Sequence, residues 1–175
     1  MKNTWEPDEV RRCRSLPAVD IAPYQHVETV TVAAPPEAVY DLVADVTRMG
    51  EWSPVCTAGE WVDDAQATFV GTNALGDFTW QTTCRIDVAE RGKEFTFVNL
   101  GMQADAELVR WSYTFAPTSG GTQVSERWEV LPGYEASMTA TVPGMDVKEY
   151  LDGVKPTTQA GMAETLGKLK AAAEG

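Results

Sequence analysis

A lone charge on an apolar strand face is where this sequence first suggests chemistry. In Thr122–Val130, the residues Val124, Trp128 and Val130 fall on one side of an alternating pattern, and Glu126 is the charged residue among them. A carboxyl group in that position needs a hydrogen-bond donor or a pKa raised by its surroundings. His26 and Glu28 stand at the start of a second alternating run, His26–Val32. Two carboxylates and an imidazole would form an acid/base set for dehydration or enolisation, provided the fold brings them together. The competing role for Glu126 is to tie the sheet together, with His26 and Glu28 exposed near their strand's start. Val27 interrupts the alternation, which leaves the facing of His26 and Glu28 open.

Other chemistries find little support. His26 is the single histidine, so a multi-histidine metal site is excluded and no metal is expected. Cys13, Cys56 and Cys84 are far apart, odd in number and form no CxxC pair, which argues against a disulfide framework. Cys84 alternates with apolar residues and reads as a small core residue. There is no Ser-His-Asp order, HExxH or P-loop. Gly71, Gly76, Gly101 and the pair Gly120-Gly121 sit at strand bends, ends or turns, not at a strand-to-helix phosphate loop. No cofactor is expected. The net charge of −12 repels polyanions, so nucleic acid and anionic membrane surfaces are poor partners. No apolar run is long enough for membrane insertion, and the first 17 residues carry charges where a signal peptide needs an apolar core, so a cytoplasmic protein is expected.

The elements that must position these residues follow from periodicity. Residues 1–23 read as an N-terminal extension, loose or packed down, and 24–175 as one domain. A strand over 24–33 precedes a short helix opened by Pro36, whose missing N–H suits the first helical position, with Glu37 at the positive helix start. Val39, Leu42, Val43 and Val46 give that helix an apolar stripe, and Arg48–Pro54 ends it with a Trp at the turn. From Thr57 to Leu131 the period is two. Strands are expected at Ala58–Val62, Ala67–Leu75, Phe78–Val88, Glu94–Leu100, the run around Val109–Phe115, and Thr122–Val130. Trp80, Phe95, Phe97, Trp111, Tyr113, Phe115 and Trp128 fall on one inner face. Such a sheet must bury its aromatic side. Thr157–Glu174 supplies a covering helix, with Pro156 as its starting signal, Met162, Leu166 and Leu169 facing the sheet, and Ala160, Ala163 and Ala173 beside them.

Four stretches, APPEAVYDLVAD, EWSP, WSYTFAPTSGGTQVSERWE and GMAETLGKLKAAAE, resemble in wording, order and spacing the polyketide cyclase/dehydrase branch of the START-related helix-grip (SRPBCC) superfamily. The resemblance covers Tyr24 to Ala173. It departs in the N-terminal arm and in Pro132–Lys155, where a short helix could cover a cavity mouth. It implies an α+β helix-grip fold: a curved antiparallel sheet of about seven strands around a long C-terminal helix, with two short helices after the first strand. It also implies a deep apolar pocket and, from pairing of the first and last strands, Glu126 near Glu28 with His26 beyond. The ligand-binding candidates are then Trp80, Thr82, Phe97, Asn99, Trp111, Tyr113 and Trp128, with Asn73 and Tyr40 as further hydrogen-bonding groups. Each of these has a structural role available to it as well. The function implied is binding of an apolar or aromatic small molecule, with cofactor-independent cyclase or dehydratase chemistry. The alternatives are a non-catalytic carrier or sensor, and a protein whose cavity is filled by its own side chains. A monomer or homodimer is expected.

Overall fold

The alternating stretches form one seven-stranded antiparallel sheet in a computed structural model that describes residues 18–175. The strands are β1 (Gln25–Val32), β2 (Cys56–Trp61), β3 (Thr68–Leu75), β4 (Phe78–Glu90), β5 (Glu94–Asn99), β6 (Val109–Thr118) and β7 (Gly121–Val130). Their order is β1-β7-β6-β5-β4-β3-β2, so the first two strands sit at opposite edges and a meander returns β7 to the side of β1. Most of the expected N-terminal extension lies outside the described residues. Its last part packs down, with the Val19 N–H donating to Glu135 Oε2 at 2.8 Å.

Helix α1 (Pro36–Ala44) and a 3₁₀ helix (Val46–Glu51) carry the chain from β1 to β2. Pro36 opens α1, and Val39 and Val43 are buried as the stripe requires. The 3₁₀ helix lies hard against β2, because a Cβ at Gly50 would overlap the Thr57 carbonyl and one at Gly59 the Val46 carbonyl. Trp52, just after this helix, is buried.

Helix α2 (Tyr134–Thr141) supplies the short helix expected in Pro132–Lys155. The last helix, α3, runs Val147–Glu174 and corrects the expected start at Pro156, which lies inside it. Asp146 caps α3 by accepting the Glu149 N–H at 2.9 Å, and Val147 and Leu151 are buried in its added turns. Their burial outweighs the hydrogen bond that a proline denies to the carbonyl of Asp152. Met162, Leu166 and Leu169 are buried as expected, but Ala160 and Ala163 are exposed and Thr165 takes the inward position instead. In β4 the clean alternation stops at a register shift between Ile86 and Val88.

The core divides in two. One cluster joins α1 to the sheet through Tyr40, Phe95, Phe115, Leu166 and Leu169. The other joins β7 to the start of α3 through Tyr24, Trp128, Tyr134, Val147 and Leu151. Phe95, Phe115 and Tyr40 are thus closed core, their rings meeting edge to face.

Candidate functional site

Strand register decides what meets Glu126. Tyr113 on β6, Glu126 on β7 and Glu28 on β1 are successive cross-strand partners and form one row across the sheet. The Tyr113 hydroxyl donates to Glu126 Oε1 at 2.7 Å, and both residues are buried. Glu126 Oε2 is buried with no hydrogen-bond partner among the described residues. Burial pushes the Glu126 carboxyl up to about 8, the Tyr113 bond holds it down somewhat, and the charge of Glu28 raises it further. At neutral pH the group is therefore mainly a carboxylic acid, whose own O–H is a donor in need of an acceptor. Burial also drives the Tyr113 hydroxyl well above its ordinary range, which keeps it a donor.

This pair faces a cavity of about 480 Å³ between the sheet and α3. That size suits a small organic molecule. Trp111, Trp128 and Phe97 form the wall near Glu126, and Trp80, Thr82 and Asn99 line the region farther along the strands. Trp52, Phe69, Met162 and Thr165 also line it, together with Tyr134 and Tyr150. A second hollow of about 390 Å³ under α2 adjoins the first and shares Trp80, Thr82, Asn99, Val109, Tyr134 and Tyr150 with it. Exposed Leu75, Phe78, Met102 and Val142 rim these hollows. Among the described residues, no Lys, Arg or His side chain lines either hollow.

Seven residues read from the sequence as ligand contacts, Trp80, Thr82, Phe97, Asn99, Trp111, Tyr113 and Trp128, line this cavity, and so do Glu126 and Asn73. Tyr40 belongs to the closed core instead. His26 and Glu28 face inward from β1 but are not part of the cavity wall. The reason is that α3 packs directly on β1, and the hollow opens farther along the sheet. His26 Nε2 lies 3.2 Å from Glu28 Oε2, and Gln159 Nε2 lies 3.3 Å from His26 Nδ1. Since the Gln159 amide donates, Nδ1 accepts and the ring proton sits on Nε2, facing Glu28. The fold therefore brings Glu28 beside Glu126, while the imidazole is engaged at the β1–α3 seam.

Tyr134 and Tyr150 carry no signal in the sequence, because they sit in Pro132–Lys155, where the resemblance departs. Trp52 was visible only as the Trp of EWSP. Cys56 and Cys84 both line the cavity, and burial pushes both thiols up, Cys84 to about 12, so they serve as neutral wall groups. Among the described residues no group of three or more His, Cys, Asp or Glu side chains gathers as a metal site, and no helix is long and apolar enough to cross a membrane.

Residues 25–174 match the family described as polyketide cyclase / dehydrase and lipid transport. The chain belongs to that family. A polyketide-cyclase-like protein from Corynebacterium glutamicum, solved by NMR, is 30% identical with a TM-score of 0.60, over 84% of this chain and 89% of its own. The aromatase/cyclase ZhuI from Streptomyces sp. R1128 shares the fold at 17% identity and a TM-score of 0.62, over 86% of this chain and 93% of its own. The di-domain ARO/CYC StfQ from the steffimycin biosynthetic pathway does so at 16% identity and 0.65, over 86% of this chain and 50% of its own. No curated protein matches this member of the polyketide cyclase / dehydrase family.

Proposed function

We propose that this protein binds a neutral, largely aromatic small molecule in the cavity and acts on it as a cofactor-independent cyclase or dehydratase, with Glu126 as the proton-transferring group. The observation that carries this reading is the unpartnered Oε2 of Glu126, a buried carboxyl oxygen in a cavity lined by aromatic rings. Family membership supports the ligand class.

For a β-hydroxy ketone, the neutral carboxyl gives its proton to the departing hydroxyl and takes the α-proton as the C–O bond breaks. The C–H electron pair becomes the C=C bond, water leaves, and the carboxyl ends in its starting form, acid and base in one elimination. Tyr113 O–H steadies the carboxylate formed midway. The aromatic walls would hold the substrate in one conformation, which supplies much of the rate in a ring closure.

A carrier reading draws on one observation: among the described residues Glu126 is the only carboxylate that lines the cavity, with no histidine or lysine to share a proton. Native mass spectrometry of the purified protein would identify a retained ligand. With that compound in hand, Glu126→Gln should still bind it while turnover falls about 10²–10⁴-fold. Unchanged turnover would take the proton-transferring role away from Glu126, whereas a retained ligand that the unaltered protein leaves unchanged, or a Glu126 pKa near the ordinary value of about 4.3 by carbon-detected NMR, would move the assignment to a carrier.

A further inference from the structure

The cavity has a second polar station, remote from Glu126. The Asn73 amide nitrogen donates to Thr82 Oγ1 at 3.2 Å and to the Gly71 carbonyl at 3.3 Å, which leaves its Oδ1 uncommitted among the described residues. Asn99 Oδ1 accepts the Gly101 N–H at 2.7 Å, which fixes the amide's orientation and leaves its Nδ2 uncommitted among the described residues. These residues sit on adjacent strands β3, β4 and β5, and all three line the cavity. Polar atoms in an aromatic pocket are costly unless something bonds them. Each amide here meets its structural duty with one end only. One free acceptor and one free donor are what a hydroxyl group uses, since it donates and accepts at once.

The register gives the separation of Asn99 from Glu126, and it puts Thr82, with the Asn73 amide on it, two residues farther along the strands. Asn99 pairs with Val109 on β6, and Glu126 pairs with Tyr113 on the same strand. Residues 109 to 113 span about 13 Å along the strand at about 3.3 Å per residue. Trp80, Phe97, Trp111 and Trp128 line the space around that span. With no cation in the lining among the described residues, a carboxylate end would lie there unpaired.

We propose that Asn73, Thr82 and Asn99 anchor the far end of the ligand through a hydroxyl group, so that the cavity selects neutral, elongated aryl ketones bearing a remote hydroxyl. This rests on the reading of the cavity as a ligand site with Glu126 beside the α-carbon and β-hydroxyl of a ketone. It adds positioning residues that act at a distance from the reacting atoms and fix which carbon lies beside Glu126.

Matched biphenyl probes test it, with binding followed by quenching of the cavity tryptophans. The full-length protein should bind 4-acetyl-4′-hydroxybiphenyl at least tenfold more tightly than 4-acetylbiphenyl, and biphenyl-4-carboxylate more weakly than either. Asn73→Ala, which leaves the Gly101 turn untouched, and Asn99→Ala should each cut the hydroxyl advantage to about twofold while 4-acetylbiphenyl keeps its affinity. A hydroxyl advantage below twofold in the unaltered protein overturns the proposal, as does a tenfold advantage that survives in a folded Asn73→Ala variant. In both cases plain biphenyl still binds and the cavity reading stands. If no probe binds, biphenyl included, the cavity reading itself fails.

Discussion

Tyr113 and Glu126 face each other across β6 and β7 as register partners, with the phenol donating to one carboxyl oxygen at 2.7 Å and the other oxygen left unbonded. A half-satisfied buried carboxyl is expensive as an anion and cheaper as an acid, and this cost has a pH signature. The folded protein holds the Glu126 proton up to about 8, whereas the unfolded chain releases it near 4.5. The folded state thus binds more protons between those values, and stability from this group falls as pH rises through that window. It is fully present below 4.5 and gone above about 8. The slope should reach about 1.4 kcal/mol per pH unit in mid-window. Glu126→Gln should remove it, as read from the difference between the two proteins' denaturant midpoints across pH. Parallel curves would refute a raised pKa.

Tyr113→Phe isolates the phenol's share. The hydroxyl bond stabilises the carboxylate, so its loss should carry the Glu126 pKa above about 8. Leaving Oε1 without its donor should also cost about 1–3 kcal/mol of stability. An NMR titration of Glu126 in the variant checks the direction, and a downward move would count against the assigned bond.

Much of the fold was legible because local and global signals agree. The strands β3–β7 alternate, and turns at Gly76-Asp77, Arg91–Lys93 and Ser119-Gly120 separate them. Glu126 was legible as one charge on an apolar face. The facing of His26 and Glu28 was not, because exposed Val27 offers the same hydrophobic cue as half-buried Val30. Only the pairing of β1 with β7 resolves it. The extent of the cavity was also hidden. It depends on α3 filling the space over β1 and leaving it open over β3–β7, and strand periodicity does not encode that choice.

Pro156 misled the helix assignment, and the same residue makes a stability prediction. It is exposed inside α3 and denies a hydrogen bond to the Asp152 carbonyl. Pro156→Ala should restore that bond and raise stability by about 1–3 kcal/mol, after allowance for the freer unfolded chain. A lowered denaturant midpoint would mean that packing has shaped the helix around the proline.

Leu166 is 1% exposed within the cluster that joins α3 to the sheet and α1. Leu166→Ala should cost about 2–5 kcal/mol, as a buried leucine truncated in a packed core does. A midpoint unchanged at constant denaturant slope would show that α3 is not packed in this way.

Gly71 offers the most direct test of whether the cavity takes a ligand. It lies inside β3, where a glycine weakens a strand by roughly 0.5–1 kcal/mol relative to alanine. Its backbone is not left-handed, so conformation does not demand glycine there. A Cβ would lie 3.4 Å from Cys56 Sγ and 3.6 Å from Thr82 Oγ1, both ordinary contacts, so close packing does not demand it either. What the glycine keeps is space, because it lines the cavity. Gly71→Ala should therefore fold with equal or slightly higher stability and still bind a neutral apolar dye such as Nile red in a saturable way. Gly71→Leu should also fold, since its added carbons enter the hollow, but dye affinity should fall by tenfold or more. Melting curves confirm the fold of both variants. If folded Gly71→Leu binds the dye as the unaltered protein does, the dye sits elsewhere and the cavity is not the binding site.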